Sequence, residues 1–341
     1  MGLLDGLRVL DLTMWRPGPY ATQLLAQLGA DVIKVEPPGG EPMRMFRSHF
    51  DLLNQHKRSV ELDLKDAEGR ARCLELAEGA EVFVEGFRPG VADRLGVGHE
   101  VVRALNPRLV YCSISGYGAE GPLAMVPGHD INYRAYAAAM TEDAVSPDAD
   151  ELPVADMSAA TMAAFAITAG VLKARAGGVG DRIDLGMADV LANWVGTVPT
   201  AKQRTGAGPV AGYGVYPTKD GHKITLGVVS EERLWAASCE ALGLGEFAGV
   251  PFLERLGRVR ELDEAIAGVI GGLTREEALE RLNAAGAPVA PVLSRDEMID
   301  LDHFRMRGVV EGSPVRTVDH PPLAPGVIAE LDEHRGQGWL T

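Results

Sequence analysis

Two polar knots in otherwise apolar sequence carry the residue types that can move protons. The first is GHDINY at 128–133, where His129 stands beside Asp130 after a proline-bounded loop. The second is VADMS at 154–158, which sets Asp156, with Ser158 as a candidate cap, at the mouth of a long apolar stretch. A histidine and a carboxylate can divide acid and base work at one carbon when their surroundings keep one protonated and the other not. The plain structural alternative is an ordinary histidine and an N-cap aspartate. On the residues alone both stay open.

Other motifs narrow the chemistry. Gly116, Gly118 and Gly121 form a G-x-G-x-x-G string directly after a predicted strand. A dinucleotide site also needs a helix opening on the last glycine, and Pro122 with a second proline before Gly128 denies it one. The chain has no H-E-x-x-H, Walker loop, G-x-S-x-G or ligand cluster, so metal, nucleotide triphosphate and serine-hydrolase chemistry have no positive support. Basic residues gather early, as Lys57, Arg58, Lys65, Arg88 and Arg94. They are either solvated surface charge or a patch for an anion.

The elements that must hold these residues begin with an alternation of strand and helix patterns. LRVLDL (7–12), DVIKVE (31–36), EVFVE (81–85) and LVYCSIS (109–115) read as strands of a parallel sheet covered on both faces. Helical patterns fall at 19–29, 66–78 and 158–176, and a strand at 181–185 precedes a further helix from Met187. A Gly- and Pro-rich stretch at 199–214 reads as a linker between a large domain (1–198) and a smaller α/β domain (215–312). The smaller domain holds a strand at 222–229 and capping boxes at Thr274 with Glu277 and Ser294 with Glu297. The segment 313–341 is expected to return to the large domain. The fold class is thus α/β.

Composition sets the partners. Lys and Arg total 33 against 48 Asp and Glu, and the net charge of −15 disfavours nucleic acid and anionic membranes. Apolar residues at 46% and charged residues at 24% are ordinary globular usage. Cys73, Cys112 and Cys239 show neither metal-knuckle nor disulfide spacing. With no basic, apolar leader at MGLLDGLRVLDL and no segment read as a membrane span, a cytoplasmic protein is expected.

The ordered motifs DGLRVLDL, PGPYATQLLAQLGADVIKVEPPGG, KRSVELDLK, VEGFRPGVADRLG, NPRLVYCSISGYGAEGP and GHDINY resemble the family III CoA-transferase (CaiB/BaiF) superfamily, and within it the α-methylacyl-CoA racemases. The resemblance implies a large Rossmann-like domain, a small α/β domain and an interlocked homodimer acting on acyl-CoA thioesters, with no cofactor or metal beyond the coenzyme A of the substrate. It implies that Leu62, Lys65, Gly86, Phe87, Arg88 and Arg94 surround coenzyme A. Cationic groups there suit phosphate. His129 and Asp156 match the two bases of the racemases, which pass a proton through an enolate, and Glu231 the glutamate that orients the histidine. In the transferase branch, the alternative, Asp156 is instead a nucleophile that attacks the thioester. A scaffold that binds coenzyme A without turnover is the third reading. Leu152 stands where racemases tend to carry Asn, and Trp15 and Arg16 match neither branch; that pair is expected to line the acyl pocket or meet an acidic acyl group.

Overall fold

The computed structural model describes residues 2–140, 152–200, 210–310, 312–316 and 325–340. The chain forms two units, Met1–Val198 with Asp302–Thr341, and Pro199–Leu301.

The first unit is built on six parallel strands, β1 (Arg8–Leu12), β2 (Asp31–Glu36), β3 (Lys57–Glu61), β4 (Val82–Glu85), β5 (Val110–Ser115) and β6 (Arg182–Gly186), in the order β3-β2-β1-β4-β5-β6. Their apolar runs divide between two cores because successive side chains point to opposite faces. Val9, Val32, Val84 and Cys112 bury one face under the helix Pro17–Ala26 and the long helix Val154–Gly177. Leu10, Ile33, Phe83 and Tyr111 bury the other under the helix Ala67–Gly79, whose first turn is capped by the Asp66 carboxylate. The long helix approaches the sheet closely through small residues. A Cβ at Gly170 would stand 3.0 Å from the Val110 side chain.

By length and composition this 24-residue helix could cross a bilayer, against the expectation that no segment comes near that. Its Ala155, Ala159, Ala163 and Ile167 side chains are nevertheless fully buried in the core. The helix also starts earlier than the pattern at 158 suggests, with Pro153 at its N-cap.

The second unit holds an antiparallel sheet of β7 (Tyr213–Pro217), β8 (Lys223–Gly227) and β9 (Val289–Pro291), around Trp235, Ile266 and Leu282. Both capping boxes form. Tyr213 and Gly214 belong to β7 and not to a linker, because the antiparallel ladder with β8 begins at Tyr213; residues 201–209 lie outside the described ones. The C-terminal segment lies on the first unit: Trp339 Nε1 donates to the Leu76 carbonyl at 3.0 Å, and Asp332 accepts the Glu61 N–H at 2.9 Å. Cys73, Cys112 and Cys239 are free and buried, and burial pushes the Cys73 thiol up to about 12 and Cys239 to about 11.

Candidate active site

In an open parallel sheet, ligands enter at the carboxyl ends of the strands, where the strand order reverses. Here the reversal falls between β1 and β4. The loops that follow β1, β4 and β5 enclose, with the starts of the helices Asp130–Tyr136 and Val154–Gly177, a cavity of about 510 Å³. It brings Trp15, Gly86, Phe87 and Arg88 together with His129 and Asp156.

Asp156 sits in the first turn of the long helix and is partly buried. The cap is supplied from a distance. Asp130 Oδ1 accepts the N–H groups of Ala155 at 2.7 Å and Asp156 at 3.1 Å, so a carboxylate 26 residues away fixes the helix end that carries Asp156. Burial, with the Asp130 charge beside it, pushes Asp156 up to about 7, and Arg16 opposes this. His129 is exposed and forms the N-cap of the helix Asp130–Tyr136, its N–H donating to Asn132 Oδ1 at 3.0 Å. Tyr133 ties the approach to this helix by donating to the Gly128 carbonyl at 2.5 Å.

The loop after β1 is clamped from beneath. Trp15 has φ 66°, the left-handed region that a non-glycine residue enters only when its surroundings impose it. Its N–H donates to Glu41 Oε2 at 2.8 Å. Glu41 Oε1 pairs with Lys34 Nζ at 3.0 Å, and Lys34 donates to the Thr13 carbonyl at 2.8 Å. Lys34 and Glu41 are each 1% exposed. Lys57, also buried, pairs with Asp11 at 3.1 Å, and burial brings this lysine down to about 8. Gly18 lets the next helix start against the same loop, since a Cβ there would fall 2.2 Å from Thr13 Cβ.

The remaining expected residues divide. Leu62 and Lys65 line an apolar cleft of about 180 Å³ that shares Met14 and Phe87 with the larger cavity. Arg16 is half-buried and close enough to Asp156 to bias its charge. Arg94 is exposed, at the end of the short helix Val91–Arg94, and lines neither space. Glu231 belongs to the other unit and stands at the N-cap position of the helix Glu232–Ala241 without a side-chain cap bond, its Oε2 instead accepting the Val229 N–H at 3.0 Å. After β5, Gly118 and Gly121 take φ of 80° and 101°, and the next helix begins only at Asp130, so the glycine string opens no phosphate-binding helix.

Similarity to known proteins agrees with this arrangement. The model of CoA-transferase family III matches residues 4–341. The chain belongs to CoA-transferase family III. Among its relatives, an acetyl-CoA:oxalate CoA-transferase of Acetobacter aceti is 33% identical, over 97% of this chain and 94% of that protein. A succinyl-CoA:mesaconate CoA-transferase of Haloarcula hispanica is 31% identical, over 99% and 96%. The crystal structure of a CAIB/BAIF family protein from Brucella suis superposes with a TM-score of 0.84 at 26% identity, over 98% and 97% of the two chains. This family III protein is therefore an enzyme of the superfamily that its motifs resemble. Sequence reasoning singles out His129 and Asp156 but gives no role to Asp130 or Tyr133 in the same region, although the density of polar residues in GHDINY is a usable signal.

Proposed function

We propose that this chain is a CoA-transferase that moves coenzyme A from an acyl-CoA to a free carboxylic acid, with Asp156 as nucleophile. The carrying observation is a carboxylate fixed at a helix start inside the cavity at the sheet's switch point, with its charged form disfavoured and so more nucleophilic than an ordinary aspartate. The transferases among its relatives support the same reading over the racemase one.

One carboxylate oxygen of Asp156 attacks the thioester carbon, the carbon–sulfur bond breaks, and coenzyme A leaves as a thiolate. The thiolate attacks the Asp156 carbonyl of the resulting anhydride, which releases the donor acid as its carboxylate and leaves an enzyme thioester. The acceptor carboxylate reverses both steps. No proton or water is consumed. Leu62 and Phe87 offer an apolar path for coenzyme A, with Lys65 and Arg88 beside it, and the exposed Arg94, as cations for its phosphates. Arg16 is the cation placed to meet a second carboxylate on the acyl group, in keeping with the diacids in the relatives' names. The proposal includes a homodimer, supported by the exposed Phe165 and Leu172 on the long helix, and a reducing, cytoplasmic setting, supported by three unpaired cysteines. It includes no cofactor or metal beyond the coenzyme A of the substrate.

A second reading has one specific support: His129 and Asp156 share the cavity, as two bases acting on one α-carbon would. One experiment separates the two. The enzyme is incubated with acetyl-CoA or succinyl-CoA and either oxalate or mesaconate, then treated with hydroxylamine. Transfer of coenzyme A and a hydroxamate at Asp156 are expected. Absence of both, together with deuterium entering the α-position of a 2-methylacyl-CoA in heavy water, would replace the transferase reading by the racemase one.

A further inference from the structure

The end of the sheet opposite Asp156 holds cations that the fold does not use. Arg8 opens β1, Glu81 stands just before β4 and Arg108 just before β5. With Glu78, Asn106 and Arg175 they line a cavity of about 290 Å³. Arg175 lies in the last turn of the long helix, roughly 28 Å along its axis from Asp156 by the helical rise, so this cavity is separate from the active one.

Arg8 is half-buried, and none of its side-chain nitrogens has a hydrogen bond or ion pair among the described residues. Its Nε is sealed from solvent and its terminal nitrogens are open, at a cavity that Arg8 lines. Arg255 and Arg275 also keep a buried nitrogen without a partner, but each is anchored through another. Arg255 Nη1 donates to the Val229 carbonyl at 3.0 Å and Arg275 Nη2 to Glu297 at 2.6 Å. Arg8 is anchored through none, and a partly desolvated guanidinium without an acceptor is destabilising. The exposed Arg108 side chain likewise meets no acceptor among the described residues.

Arginines at this end of a sheet ordinarily close the carbonyl-rich ends of helices, and here other groups do so. Asn106 Nδ2 donates to the carbonyls of Glu78 at 3.1 Å and Ala80 at 2.7 Å, beyond the end of the helix Ala67–Gly79. The Gly178 N–H takes the Ala174 carbonyl at 2.8 Å at the end of the long helix. Nor do the acids of the lining satisfy both arginines. Arg175 holds both oxygens of Glu81, at 2.9 and 3.2 Å, which leaves the exposed Glu78 alone against Arg8 and Arg108. A surplus of positive charge thus faces one cavity in a chain whose net charge is −15.

We propose that this cavity binds a compact dianion, a phosphate group or a short dicarboxylate, between Arg8 and Arg108. Each guanidinium presents a fork of N–H donors that matches two oxygens of one anionic group. The space suits a ligand of that size and is too small for a whole coenzyme A. Such a site holds whether or not Asp156 transfers coenzyme A.

Isothermal titration of inorganic phosphate, and separately of oxalate, into the full-length protein at low ionic strength tests this. Saturable binding of at least one is expected, both with and without saturating coenzyme A, and the tighter of the two names the ligand class. Arg8→Gln and Arg108→Gln should each weaken it by about tenfold or more, and Glu78→Gln, which removes the competing acid, should tighten it. The exposed Arg108 covers the case in which Arg8→Gln misfolds. Oxalate held at Asp156 instead would be insensitive to both arginine substitutions. Absence of saturable binding, binding that coenzyme A abolishes, or binding that survives both substitutions overturns the assignment and leaves the transferase reading standing.

Discussion

The charge of Asp156 is set first by its burial and then by two neighbours of opposite sign, Asp130 and Arg16, and this makes its behaviour with pH specific. Burial and Asp130 hold its proton up to about 7, whereas the unfolded chain releases it near 3.8. The native state binds the extra proton between those values, so this residue's contribution to stability falls as pH rises from about 4 to 7 and is constant beyond. Asp156→Asn should therefore be more stable than the wild type at pH 8, by about 1–2 kcal/mol after allowance for partial exposure, and equal to it near pH 3, as measured by urea unfolding. The same variant should transfer no coenzyme A. In the wild type, kcat should rise through about pH 7 as the nucleophile ionises. Asp130→Asn keeps an oxygen to cap the long helix but removes the like charge, so the rising limb of the pH–rate profile should move to lower pH by up to about 1 unit. A limb that stays in place would show that burial alone sets Asp156.

At the scale of elements, the active cavity depends on a loop held by a buried ion pair. Glu41→Ala deprives the Trp15 N–H of its acceptor and leaves Lys34 buried without that partner, a change that typically costs about 3–5 kcal/mol. Denaturant unfolding should show a loss of that order, and Arg16 beside the strained residue should lose its hold on the substrate, read as a higher KM. This scale also shows what a one-dimensional pattern can reveal. DVIKVE reads as a strand and is β2 residue for residue, because its β-branched Val32, Ile33 and Val35 mark a strand even though the buried Lys34 and Glu36 interrupt the apolar run. The start of the long helix does not read so, because its cap is Asp130 rather than a neighbour in sequence. Asp156, at the mouth of an apolar helix, was therefore legible as a candidate, but its raised proton affinity was not, since that depends on its burial and on Asp130 meeting it in space. The left-handed Trp15 is hidden for the same reason: Glu41, 26 positions away, imposes it.

For the whole molecule, the division of labour follows the sheet. The strand ends that form the cavity belong to one unit, and that unit also gathers in the C-terminal segment through Trp339 and Asp332. Phe165 and Leu172, 70% and 67% exposed on the long helix, are large apolar groups that the proposed second copy would cover. Mass photometry at nanomolar concentration should find a dimer that dilution does not dissociate. A reversible monomer population would rule out interlocked chains. The three cysteines have a consequence for how turnover can be followed. Each is buried, and burial keeps each thiol protonated at neutral pH, so the thiolate that reacts with a disulfide dye is nearly absent from the folded protein. Free coenzyme A carries an accessible thiol, so a colour change in a mixture of enzyme and acyl-CoA would report coenzyme release with almost no background. The protein's own sulfhydryls would answer only on denaturation, as three equivalents, which makes one reagent both a progress curve and a test of whether a variant is folded.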